Sequence, residues 1–248
     1  MKRIFLFALL STALFACKKE DAITEATVVK MGTIENPSQL TNFYLNQDDS
    51  VRVWILNSEI KYYRPKNNQR VIMEYVILSN KATGSSYSHD VKLNDVYEVL
   101  TKGIFDVTTA TQDSIGNDPV VINDMWVSGD YLNVEFIYPG YSKTHFINLV
   151  SDSIKNKTYT DNKAHVEFRH NANDDYPSIN ISGIVSFNIS KLKVVGVNSV
   201  DFVVHTNEFG NTTTNRTYNF TYKYGAASAV PYTSTKRLTI PTRKAVVR

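Results

Sequence analysis

The chain has 248 residues, 42% of them hydrophobic, a single cysteine and a formal charge of +3. One cysteine excludes a disulfide framework and a cysteine-ligated zinc site, so apolar burial must hold the core. Near-neutral charge argues against a nucleic-acid binder, which carries a basic stripe, and the 12% aromatic content argues against an acidic disordered chain.

The first element is an export signal. Lys2 and Arg3 precede an apolar run over residues 4–14. At ~1.5 Å per residue, that run is too short to cross a ~30 Å hydrocarbon core. A basic start, a short apolar run and small residues before a cut site predict a secretory signal over residues 1–16. The order Leu14-Phe15-Ala16-Cys17 resembles a bacterial lipobox, in which Cys17 is lipidated and becomes the new N-terminus. Phe15 is bulkier than the residue usual at its position. Losing Lys2 and Arg3 lowers the formal charge from +3 to +1. Lys19, Glu20 and Asp21 then resemble the lysine-plus-two-acids signal that sends lipoproteins of one gram-negative phylum to the outer face of the outer membrane. Residues 17–25 form the acylated linker, and the lipid is the expected membrane contact.

Downstream, alternation replaces helical periodicity. Val51, Val53 and Ile55 share a face. Residues 71–78 are apolar on both faces, the pattern of a strand covered on two sides. The stretch DVTTATQDSIGNDP, 106–119, is polar and rich in turn residues. It places a first domain at 26–104, a linker at 105–120 and a second domain at 121–225. In the second, Leu132, Val134, Phe136 and Tyr138 point one way, residues 139–142 predict a turn, and 145–150 return as the second arm of a hairpin. Ile181, Gly183, Val185, Phe187 and Ile189 alternate next, then Val200, Phe202 and Val204. Tyr218, Phe220, Tyr222 and Tyr224 end the series. The class is all-β, with strand counts that suit a small Greek-key barrel followed by a sandwich. Residues 226–248 carry Lys236, Arg237, Arg243, Lys244 and Arg248 with no acid, and form a basic tail.

The motifs DMWVSGDYLNVEFIYPG (124–140), HFINLV (145–150), VEFRHNANDDYP (166–177) and GIVSFNIS (183–190) together resemble the second domain of NigD-like lipoproteins. Residues 26–100 resemble that family's first domain less distinctively, and the basic tail has no counterpart in its pattern. The resemblance implies an N-terminal OB-like barrel and a C-terminal β-sandwich on a lipid anchor. The family takes its name from a member encoded beside a bacteriocin. An immunity or inhibitor role against a secreted bacteriocin is therefore the alternative to a non-enzymatic binding protein.

Candidate sites are few. Tyr62, Tyr63 and Arg64 lie in a loop of the first domain, where rings stack on sugars or cover the barrel end. An oligosaccharide is favoured over nucleic acid there by charge and address, and a secreted peptide is the other expected partner. Asp49-Ser50, Asp113-Ser114 and Asp152-Ser153, each followed by an apolar residue, resemble an O-glycosylation motif of the same bacteria, with Ser114 the best exposed by composition. Asn171, Asn173, Asp174 and Asp175 concentrate oxygens that either cap turns or hold a hard cation, although the spacing is not that of an EF-hand. His145 starts a strand and is read as fastening strands, with Asp130 across the open end of the hairpin as a partner. No Gly-x-Ser-x-Gly elbow and no His-Glu-x-x-His occurs, so neither catalytic residues nor cofactors are assigned.

Overall fold

The computed structural model describes residues 26–36, 42–209, 214–224 and 247. The segment expected to be an export signal, Cys17 and all of the basic tail except Val247 lie outside the described residues. Five strands, β1 (Thr27–Glu35), β2 (Phe43–Gln47), β3 (Arg52–Ser58), β4 (Arg70–Asn80) and β5 (His89–Glu98), close into a barrel in the order β1-β2-β3-β5-β4. Period-two alternation builds its interior. Phe43, Leu45, Val53, Ile55, Val71, Met73, Tyr75, Val91 and Leu93 all point inward and are buried. Closure requires β1 to bend from β4 onto β2. Gly32 sits where both pairings overlap, and a Cβ there would lie 2.5 Å from the Asn46 carbonyl oxygen.

The two-faced apolar pattern of β4 has a physical cause. Its inner face fills the barrel, while Ile72 turns outward to join Met31, Val99, Trp126 and Ile184 in a second apolar cluster. Trp126 and Ile184 belong to the sandwich, so β1 and β4 are the side on which the barrel docks. Beside this cluster Arg70, fully buried, forms a bidentate ion pair with Asp48 (2.6 and 2.8 Å). It also donates 2.9 Å to Asn133 Oδ1 in the sandwich, and its guanidinium carbon lies 4.7 Å from the Tyr131 ring centroid.

The expected boundary is corrected by β6 (Leu100–Val107). This strand leaves the barrel at once and belongs to the second unit. Its first half, 100–103, pairs in parallel with β11 (Ile179–Asn188), and its second half, 104–107, pairs in parallel with β9 (Phe146–Asp152). One strand is therefore shared by the two layers of the sandwich. One layer is β7 (Val121–Ser128), β8 (Tyr131–Gly140), β11 and the start of β6. The other is the end of β6, β9, β10 (Ala164–Asn171), β12 (Ser199–Glu208) and β13 (Thr214–Lys223). Residues 105–120 are thus not a linker throughout. They hold the end of β6, the short helix α1 (Gln112–Ile115) with Ile115 buried, and Val120 bridged to Glu208.

Between the layers, Leu132, Val134, Phe136 and Tyr138 of β8 and Val185 and Phe187 of β11 meet Ile147, Leu149, Val166, Phe168, Phe202 and Val204. Each such fully buried side chain contributes ~1.5–3 kcal/mol of apolar transfer. The expected hairpin over 131–150 is not one. β8 continues through Gly140 and pairs with β7 and β11, whereas β9 pairs with β10 and β6. The turn after β8 carries the chain from one layer to the other. Asp130 consequently does not meet His145; it accepts from Tyr222 Oη and Lys193 Nζ.

Candidate functional site

Three places concentrate chemistry. The first is the loop at 60–65, and the structure divides its residues. Tyr62 is 87% exposed. Tyr63 turns back to plug the barrel end, its ring 6.2 Å from Phe43 and its hydroxyl donating 3.3 Å to Gln69 Oε1. Burial, reinforced by Glu98, pushes its phenol well above the usual value. Arg64 donates to the Tyr63 carbonyl. A cavity of about 210 Å³ opens here, lined by Phe43, Leu56, Ile60, Lys61, Tyr63 and Pro65, and neither Tyr62 nor Arg64 lines it. Tyr63→Ala is expected to cost about 2–3 kcal/mol, less than a fully buried ring because Tyr63 is partly covered. Tyr62→Ala should cost under about 0.5 kcal/mol. Thermal melts of the two single variants check this division.

The second place is the outer face of β2 and β3, which the sequence reading missed. Tyr44 and Trp54 are register partners with ring centroids 4.5 Å apart. Tyr87, from the β4–β5 loop, closes the group at 5.6 Å from Tyr44 and 6.5 Å from Trp54. All three rings are half-buried. Arg52 lies 3.8 Å from the Tyr44 ring centroid and bonds Glu35 at 2.8 Å, and Asn46 donates to the same carboxylate.

The third is a pair of imidazole couples in the sandwich, in which His145, His165 and His170 are buried and His205 half-buried. His145 Nδ1 meets His170 Nε2 at 2.7 Å, and His145 Nε2 meets Asp175 at 3.2 Å. His165 Nδ1 meets His205 Nε2 at 2.9 Å, and its Nε2 meets Asp161 at 2.8 Å. Tyr159 stacks on His165 at 3.6 Å. With both rings neutral, each Asp accepts from the inner imidazole, whose bare nitrogen accepts from the outer one. Burial, then electrostatic repulsion by the His145 ring, pushes His170 down to about 4, and burial, then repulsion by the His165 ring, lowers His205. Asp175 resists its own burial through the Tyr141 N–H, the His145 ring and the Ser142 N–H, and stays well below the usual carboxylate range. The oxygen-rich loop is thus occupied with turns. Asn171 Oδ1 accepts from the Asn173 N–H, and Asn173 and Asp174 take positive φ.

The lowered His170 pKa carries a sign. Between pH 6.5 and 4 the unfolded chain binds a proton there that the folded chain does not, so stability falls as pH falls through that window. The expected loss from this residue is about 3 kcal/mol by pH 4, and His205 adds to it in the same direction. Urea unfolding at pH 7, 5.5 and 4.5 should show the decline, and His170→Gln should flatten it. An unchanged slope in that variant would assign the pH dependence to other groups.

A cleft of about 280 Å³ opens between barrel and sandwich, lined by Thr33, Asp48, Arg70, Ser128, Asp130 and Tyr131. Arg70 and Asp48 there are spent on each other.

The model described as NigD-like N-terminal OB domain matches residues 31–99, and that described as NigD-like C-terminal beta sandwich domain matches residues 103–222. The chain belongs to the NigD-like family. The change of family domain between 99 and 103 falls where β6 begins. Among solved structures, a protein of unknown function from Bacteroides vulgatus is 28% identical, with a TM-score of 0.68 over 82% of this chain and 94% of its own. A protein described as toxin-related from Parabacteroides distasonis is 31% identical, with a TM-score of 0.68 over 81% of this chain and 95% of its own. A NigD-like immunity protein from Bacteroides caccae shares the fold at 15% identity, with a TM-score of 0.62 over 81% and 97%. No curated protein matches the sequence.

The residues expected to be modified or to direct export in this NigD-like chain are placed unevenly. Cys17, Lys19, Glu20 and Asp21 lie outside the described residues. Ser114 is exposed on α1, with its hydroxyl donating 2.9 Å to the Thr111 carbonyl. The aromatic face had no local signal, because Tyr44, Trp54 and Tyr87 come from three segments. Only the β2–β3 register brings the first two together.

Proposed function

We propose that this NigD-like protein is a lipid-anchored envelope protein, held at the outer face of the outer membrane through Cys17, that works by recognising an extracellular ligand. The observation carrying this reading is the aromatic face of β2 and β3. The barrel docks on the sandwich through β1 and β4, and three clustered, half-buried rings lie on β2, β3 and the β4–β5 loop, outside that docking cluster. OB barrels use this face and the adjoining loops for ligands. A catalytic reading has less support, since His145 and His165 each spend both ring nitrogens on a second imidazole and an aspartate, and no nucleophile stands beside either couple among the hydrogen bonds described.

The anchor is tested by labelling with a fatty-acid analogue. Wild type is expected to be marked and Cys17→Ala unmarked; equal marking would sink the lipobox. Replacing Lys19, Glu20 and Asp21 with alanine should keep the lipid and remove protease accessibility on whole cells. Unchanged accessibility would refute the surface signal. The 31%-identical protein described as toxin-related supports a second reading, in which the recognised ligand is a secreted peptide and the role is immunity.

A further inference from the structure

We infer that the β2–β3 face binds a neutral oligosaccharide, with Tyr44, Trp54 and Tyr87 as the stacking platform and Glu35, Asn46 and Arg52 as the hydroxyl partners. The inference rests on the recognition reading above and adds the ligand class.

Two rows of side chains run side by side across the barrel wall. One row is aromatic. Tyr44 and Trp54 face each other across the ladder, and Tyr87 extends the row from the loop, with centroids 4.5 to 6.5 Å apart. Rings tilted by 43–58° present a faceted apolar surface rather than one flat stack. The other row is polar. Glu35 accepts from both Arg52 and Asn46, yet its side chain stays 42% exposed. A pyranose has this same division, with an apolar C–H face and a rim of hydroxyls that both donate and accept. A carboxylate, an amide and a guanidinium beside aromatic rings supply both halves of that match.

Charge selects among ligands. Arg52 is paired with Glu35, and Lys81, 5.2 Å from the Tyr87 ring, is paired with Asp90. Among the described residues the basic groups of this face, Arg52 and Lys81, are each balanced by a carboxylate rather than left to neutralise a phosphate, sulfate or uronate. Stacking without charge neutralisation excludes nucleic acid, whose affinity comes chiefly from phosphate contacts. A neutral glycan needs no such compensation.

Trp54 makes the test direct. The chain has two tryptophans, and the other, Trp126, is buried between barrel and sandwich. The chain from residue 18 to 248 is titrated with neutral glucan, mannan and galactan hexamers of α and β linkage, and in parallel with a heparin hexamer and a dT12 oligonucleotide. Binding is read by calorimetry and tryptophan emission. At least one neutral hexamer should bind and shift the emission, and the two polyanions should not. Trp54→Ala should weaken binding by about tenfold or more. Trp54→Phe should keep the affinity within a few-fold while abolishing the emission change. If strand substitutions unfold the barrel, Tyr87→Ala, on a loop, carries the same expectation. Binding of no neutral hexamer overturns the inference, as does neutral binding that Trp54→Ala and Tyr87→Ala leave intact. Preference for the polyanions also overturns it. A secreted peptide that binds and is lost in the same variants removes the glycan but leaves the recognition reading standing. Loss of every ligand at this face removes both.

Discussion

A fragment of residues 121–225 is expected not to fold, whereas the segment from residue 99 to 248 is expected to unfold cooperatively. By composition alone 121–225 is self-sufficient, since its alternating strands bury their own apolar faces. The obstacle is β6. Without it the facing edges of β9 and β11 lose a partner, and Leu100 and Ile104 no longer cover the core. Eight register pairs disappear, four on each side. At roughly 0.5–1.5 kcal/mol net for a hydrogen bond, about one bond per pair gives a loss comparable to the ~5–15 kcal/mol that keeps a domain folded. Two exposed edges also invite association. Urea titration followed by far-UV circular dichroism distinguishes the fragments. A sigmoidal transition in 121–225 would mean that β9 and β11 hold together without the strand between them.

The elements that sequence patterning captured are those whose burial repeats with the pleat. Leu132, Val134, Phe136 and Tyr138 show period two because one layer of the sandwich faces them all. Of residues 71–78, read as covered on both faces, 71–76 are largely so because barrel interior and sandwich enclose that part of β4 from two sides, whereas Ile77 and Leu78 are exposed. What escaped depends on contacts far apart in the chain. β6 has no single pattern because its halves pair with different strands, and only Val107 among its residues is buried. The polar stretch after it then made the boundary look later than it is. His145 and His170 are 25 residues apart, and His165 and His205 are 40 apart. Their pairing follows from strand register, which a single sequence does not display. The Tyr62-Tyr63 loop drew attention because its rings are adjacent in sequence. In the fold one ring faces solvent and the other plugs the barrel.

Arg70→Ala is expected to destabilise the protein by about 3–5 kcal/mol, the usual cost of removing one partner from a buried ion pair. Its side chain is 1% exposed and that of Asp48 10%, so the remaining carboxylate has little water to turn to. Thr33 also loses a donor, and Asn133 keeps only Ser186 on its oxygen. Asp48→Asn should cost a similar amount, because it strands a guanidinium between barrel and sandwich. The pair itself need not add net stability, since desolvation offsets much of its attraction. Combining Arg70→Ala with Asp48→Asn should therefore cost clearly less than the sum of the single changes, by more than about 1 kcal/mol. Denaturant unfolding of the four proteins in that cycle measures the coupling. Additive losses would mean that Arg70 and Asp48 act independently.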